Sequence, residues 1–208
     1  MSDELKQTPF SSSYPDGVVE WIDIFGYAVP LTWGDPNVEC AAVRNQAAAF
    51  EFSMLLKWDV EGAGAIQTVN NIFSRDISEM KPGTIAYGVV VSEAGKMVDD
   101  CTVFVYGPEL VRIIGANPIV GDLLDHYRTN NVTVSERRDE LAQLSVQGPL
   151  SREILQKLTS SDISNDALRW YHFITDVDMA GMKVQISRIG YTGELGYEIM
   201  LPVDSAQA

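Results

Sequence analysis

Between Leu56 and Ser135 the hydrophobic period switches back and forth between two and about 3.6, and the order of the switches admits few folds. Leu56, Trp58 and Val60 alternate with Lys57, Asp59 and Glu61, the pattern of a half-buried strand. Gly62 and Gly64 mark a turn, after which Ile66, Val69, Asn70 and Phe73 fall at helical spacing. Pro82-Gly83 breaks that helix, and residues 84–92 read as a strand. Glu93-Ala94-Gly95-Lys96 makes a hairpin turn into a second strand, 97–106, and Gly107-Pro108 turns into a third, 110–114. Val120, Leu123, Leu124 and Tyr127 line one side of a helix over 119–127, and 132–135 closes the series as a last strand. Strand, helix, three strands, helix, strand is the split βαβ pattern with one strand added.

The flanks carry weaker rhythms. Residues 18–31 read as one or two short strands around a turn at Phe25-Gly26. A helix capped by Asp35 or Asn37 follows and is expected to end near Ala49. After the charged stretch 136–140, the pattern restarts with a strand over 142–146, a turn at Gln147-Gly148-Pro149 and a helix over 150–158. Strands over 173–177 and 182–188 lead through a glycine-rich turn into a strand over 197–201. Residues 202–206 read as the start of another helix, with Asp204 or Ser205 as N-cap, so the chain is expected to be truncated. The whole is expected to be α+β, mainly antiparallel sheets flanked by helices.

Charge narrows the function classes. Fifteen basic residues against 29 acidic ones give a net charge of −14, which opposes both the nucleic-acid backbone and an anionic membrane surface. Cys40 and Cys101 are far apart, and His126 and His172 are isolated, so neither a disulfide framework nor a metal site is expected. Residues 1–10 lack the apolar core of a signal peptide, and no run is long enough to span a membrane. These features read as a cytoplasmic, reduced protein.

Two stretches are candidates for chemistry. Asp99 and Asp100 sit side by side on an expected strand, where neighbours face opposite ways. Both faces are mostly apolar, so at least one carboxylate should meet poorly hydrated surroundings, which raises a carboxyl pKa unless a cationic partner offsets it. Such a group suits proton transfer or stabilisation of positive charge; the same pattern also fits a solvated pair near a hairpin end. The second stretch is Gly190-Tyr191-Thr192-Gly193-Glu194-Leu195-Gly196-Tyr197-Glu198. Its glycines allow close backbone approach, its tyrosines offer flat faces, and its glutamates are bidentate acceptors for adjacent N–H groups such as those of a pterin. A β-turn whose tyrosines pack on the core fits equally well.

At these residues the chain resembles the glycine-cleavage T-protein (aminomethyltransferase) family. Arg188 through Glu198 resembles its TGYTGExGYE signature, Gly95-Lys96-Met97-Val98-Asp99-Asp100 its GGxxDD, and Val146-Gln147-Gly148-Pro149 its VQGP. Phe25 to Leu31 is similar to FxGWxxPL, Ala42-Val43-Arg44 to AVR, and Phe50-Glu51-Phe52-Ser53 to FDVS. The resemblance runs colinearly from about residue 20 to the end. It implies two interleaved subdomains, 1–54 with 138–208 for folate and an inserted split-βαβ-like 55–137, and a C-terminal barrel domain that is missing here. It implies tetrahydrofolate as cofactor and Asp99 as the catalytic residue. Tyr87, Asn117, Tyr191 and Glu198 are implied as folate-binding residues, Asn117 only if its loop shifts, since strict alignment places Gly115 there. The activity implied is transfer of an aminomethyl group from a lipoyl carrier protein to tetrahydrofolate with release of ammonia. Related activities are a folate-dependent demethylase and a non-catalytic folate-binding protein. Met54 stands where many members have His, and Lys96 replaces the second glycine of GG.

Overall fold

A computed structural model of the chain describes residues 5–129 and 131–206, which fall into two units: residues 1–54 with 139–208, and residues 55–138. Both units are built on mainly antiparallel sheets flanked by a few short helices, which makes the fold α+β.

The contiguous unit, 55–138, contains β5 (Leu56–Glu61), α2 (Ala65–Asn70), β6 (Thr84–Val91), β7 (Met97–Gly107), β8 (Leu110–Gly115), α3 (Ile119–Tyr127) and β9 (Thr133–Glu136). Its strands form one antiparallel sheet in the order β6-β7-β8-β5-β9. Trp58, Val60, Val103, Val111 and Ile113 of the sheet share one core with Val69, Phe73, Val120 and Leu124. The β6–β7 hairpin closes through Gly95 N–H to Ser92 O at 2.8 Å, with Gly95 at φ +71°. Only that first position needs the left-handed region, so Lys96 is free to replace a glycine.

The other unit begins with β1 (Lys6–Gln7), then β2 (Glu20–Ile24), β3 (Tyr27–Thr32), α1 (Pro36–Asn45) and β4 (Ala48–Glu51). It resumes with β10 (Leu141–Gln147), α4 (Ser151–Gln156), β11 (Phe173–Met179), β12 (Met182–Ser187) and β13 (Gly196–Pro202). β1, β3 and β2 make a small sheet, and a larger antiparallel sheet has the order β11-β12-β13-β10-β4. The turn between β2 and β3 holds Phe25 at φ +54° and Gly26 at φ +84°, the geometry of a two-residue hairpin loop.

Three expectations fail in this unit. The helix expected to reach Ala49 ends at Asn45, because Ala48 and Ala49 pair with Gln147 and Val146 of β10. Alanine favours helix locally, but an open sheet edge overrides that preference. The helix expected over 150–158 shortens to α4, and the one expected after Pro202 is a 3-10 turn, Val203–Ser205. Among the described residues no helix is long and apolar enough to cross a membrane.

Candidate functional site

In unit 55–138 the acidic pair divides. Asp99 is buried and Asp100 is exposed, as alternation along β7 requires. Among the described residues no cation compensates the buried carboxylate; neutral donors do. Asp99 Oδ2 accepts from the backbone N–H of Ala116 at 2.6 Å and of Asn117 at 2.9 Å, and the Cys101 thiol lies 3.7 Å from it. Asp99 Oδ1 accepts from Asp100 N–H at 3.0 Å. The loop that supplies two of these donors leaves β8 directly beside β7. A Cβ on Gly115 would lie 2.4 Å from Asp99 Oδ2, so a side chain there would displace the carboxylate. Burial, and then the charge of Asp99, pushes the Cys101 thiol well above its ordinary pKa.

Asn117 belongs to this arrangement through its backbone and its side chain. Its amide donates to Val98 O at 3.1 Å, and its side-chain oxygen accepts from Ile119 N–H at 3.1 Å in the first turn of α3. One amide N–H and one oxygen lone pair remain for a ligand. Tyr87 is 46% exposed on β6, and its hydroxyl donates to Asp100 Oδ2 at 2.9 Å.

In the other unit the glycine-rich loop is tied down by Gln147, the glutamine of the VQGP run. Gln147 Nε2 donates to Ser145 Oγ at 2.8 Å and to Ile189 O at 3.3 Å, while its Oε1 accepts from Thr192 Oγ1 at 3.0 Å. A Cβ on Gly190 or Gly196 would come within 2.0 or 2.2 Å of the Gln147 amide. Those two glycines make room for a side chain; they are not there for flexibility. Two motifs far apart in sequence, VQGP and GYTGE, are therefore one packed device.

The two tyrosines of the loop have different fates. Tyr197 is fully buried, accepting from Arg152 Nε at 2.8 Å and donating to Ile163 O at 3.0 Å, so the expectation that both offer stacking faces fails for this one. Tyr191 is 61% exposed and meets Phe50 and Phe52 edge-on at 5.5 and 5.1 Å. Partial desolvation, then the charge of Glu198, holds its phenol above the usual pKa. Glu198 itself is half-buried on β13, and its Oε2 accepts from Gln143 Nε2 at 2.9 Å. Glu194, the loop's other glutamate, pairs with Arg44 at 2.9 Å at the surface. Gln143, Phe50 and Phe52 were not singled out as site residues from sequence; the signal available was that alternate residues of one strand share a face.

Among the described residues no group of three or more His, Cys, Asp or Glu side chains gathers to hold a metal ion. What the two arrangements offer is a buried, unneutralised carboxylate in one unit. The other offers a half-buried carboxylate near an exposed aromatic face.

This α+β architecture with its two acid-bearing motifs defines a class, and the chain belongs to the GCVT N-terminal domain family, whose model matches residues 16–208. It is similar to the aminomethyltransferase of Lysinibacillus sphaericus (strain C3-41), 34% identical over 203 residues, covering 96% of this chain and 55% of that protein. The aminomethyltransferase of Bacillus subtilis (strain 168) is 33% identical over 205 residues, covering 97% of this chain and 56% of that protein. The chain thus spans about half the length of the curated relatives it matches. The fold is shared with the glycine cleavage system aminomethyltransferase T from Bartonella henselae, at a TM-score of 0.80 and 22% identity, over 96% of this chain and 54% of that one. It is shared more loosely with a heterotetrameric sarcosine oxidase from Corynebacterium sp. U-96, at a TM-score of 0.57 and 16% identity, covering 80% of this chain and 83% of that chain.

Proposed function

We propose that this chain is the tetrahydrofolate-binding part of a one-carbon transferase. The proposed reaction moves an aminomethyl group from a lipoyl carrier protein to tetrahydrofolate, forming methylene-tetrahydrofolate and ammonia. The observation that carries this reading is Asp99: a buried carboxylate held by uncharged donors, three backbone N–H groups and the Cys101 thiol. Family membership and aminomethyltransferase relatives support it.

Each residue is assigned a task that suits its chemistry. Tetrahydrofolate, when bound, supplies the nucleophilic nitrogens that accept the one-carbon unit. Asp99 is assigned to orient those nitrogens and to stabilise positive charge developing beside them, an electrostatic role that depends on its fixed position. Glu198 has the acceptor pair that adjacent N–H and amino donors of a pterin require, and Tyr191 presents an exposed ring near it. Tyr87, 46% exposed, and Asn117 are assigned as further folate contacts on the family resemblance. Two free cysteines, one of them exposed, suit the reducing cytoplasm in which we place the protein.

The test pairs binding with turnover. Asp99→Asn is expected to lower turnover about 10²- to 10³-fold while changing affinity for a stable reduced folate by less than about threefold. Equal loss of both would reduce Asp99 to a binding residue. Screening methylated donors against the aminomethyl-lipoyl carrier separates the transferase from a demethylase. Retained folate binding with no turnover on any donor would favour a non-catalytic protein.

A further inference from the structure

Between α3 and the β5–β9 edge of the sheet in unit 55–138 lies a cavity of about 300 Å³. Leu56, Trp58 and Val134 form its apolar floor, and Pro118 and Gly121 bound it on the α3 side. Asp122 and Asp125 of α3 and Glu136 of β9 carry its rim, all three of them exposed. Register sets Glu136 directly across from Trp58. Asp122 has no ion-pair or hydrogen-bond partner among the described residues. Asp125 meets Arg128 at 3.6 Å, and Glu136 Oε1 accepts from Arg138 N–H at 2.7 Å. The rim is therefore negative and mostly uncancelled.

The floor holds a donor without an acceptor. Trp58 is 4% exposed, and its indole N–H has no hydrogen-bond partner among the described residues. A buried tryptophan N–H usually finds one. Gly121 shows where this donor points. A Cβ there would come within 2.6 Å of Nε1, against 3.1 Å for Cε2 and 3.5 Å for Cδ1. The nitrogen corner of the ring thus faces the space left by the missing side chain, and both residues line the cavity. For the fold alone both choices are poor. Alanine favours a helix over glycine, and phenylalanine fills a core without stranding a donor. Together they leave one open N–H at the foot of an acidic rim.

A ligand suited to that floor and rim carries an acceptor for the indole N–H, positive charge for the carboxylates and an apolar stem between them. An anion would meet charges of its own sign. A metal ion is also a poor fit, since Asp122, Asp125 and Glu136 do not converge closely enough to hold one. At ~30 Å³ per water the cavity matches about ten waters, room for one long side chain and its peptide group. A guanidinium spreads five donors in a plane and spans separated carboxylates better than the point charge of an ammonium. We propose that this cavity binds an arginine residue of a partner polypeptide, its guanidinium on the acidic rim and its carbonyl oxygen on the Trp58 indole N–H. Nothing in this site depends on tetrahydrofolate.

The experiment is a nitrogen–proton correlation NMR titration of the 208-residue chain with N-acetyl-L-argininamide. Its citrulline counterpart, of the same shape without the charge, agmatine, which keeps the guanidinium and lacks a carbonyl, and free arginine are titrated alongside. The Trp58 indole signal is assigned through its Overhauser contact with Gly121. Argininamide is expected to shift that signal downfield and to saturate. The citrulline compound should bind about fivefold more weakly, and agmatine should bind without the downfield indole shift. Asp122→Asn and Glu136→Gln, at exposed positions that leave the core alone, should each weaken argininamide about two- to fivefold, with the indole shift at saturation unchanged. An unsaturating response, equal binding of the citrulline compound or undiminished binding by both variants overturns the inference. So does an indole signal that stays put at saturation, or one that agmatine shifts equally. Tighter binding of free arginine than of the blocked compound overturns the assignment to a polypeptide.

Discussion

Two aspartates of the same sheet are buried in opposite ways. Asp59 on β5 is matched by charge: Arg112 grips it with Nε at 2.6 Å and Nη2 at 2.8 Å, and Arg137 Nη1 adds a third contact at 2.9 Å. Asp99 on β7 is matched by dipoles, three of them backbone N–H groups. The first arrangement cancels the negative charge inside the fold, and its value lies in not being broken. The second stabilises the charge without cancelling it, leaving a field that acts on whatever binds nearby. Burial alone does not distinguish a structural acid from a chemical one; the nature of the donors does.

That contrast is open to direct attack. The largest effect is expected from Asp59→Ala, which strands two arginines and should lower unfolding free energy by about 3–5 kcal/mol in denaturant titrations. A loss below about 1 kcal/mol would erase the proposed difference between the two acids. Gly115→Ala comes next, because its Cβ would meet Asp99 Oδ2 at 2.4 Å and Cys101 Sγ at 2.7 Å, a clash worth about 1–3 kcal/mol. Combining it with Asp99→Ala should remove the part of that cost due to the carboxylate, leaving the Cys101 contact; if the full penalty persists, Gly115 serves something other than the carboxylate. Gln147→Ala should cost about 1–2 kcal/mol and speed amide hydrogen exchange in the loop around Thr192, which then lacks its anchor. Smallest is Arg44→Ala. Its partner Glu194 lies at the surface, and the melting midpoint should stay within scatter of wild type.

Much of the fold was legible because strand periodicity is a local signal. The β6–β7 hairpin could be read from its Gly95 turn and its flanking Val and Phe residues, and the element order of β5 through β9 from alternation and helical spacing. β4 was not, since Ala48 and Ala49 say helix and only β10, far along the chain, says strand. The sites divide on the same principle. An acidic pair on a strand can be read, but the donors that hold Asp99 arrive from Ala116 and Asn117 by way of the β7–β8 register. Three glycines announce a folded loop, yet the reason for two of them, the Gln147 amide, lies outside the loop.

The pairing of β4 with β10 also orders events during synthesis. Ala48 finds its partner only when Gln147 has been made, after the whole of residues 55–138 has emerged. A contiguous stretch with its own core can fold as it leaves the ribosome, whereas the edge of the larger sheet must wait with its first strand unpaired. β4 is thus the strand of the nascent chain that waits longest for its partner, and slowing translation after residue 138 should lengthen that wait without affecting unit 55–138.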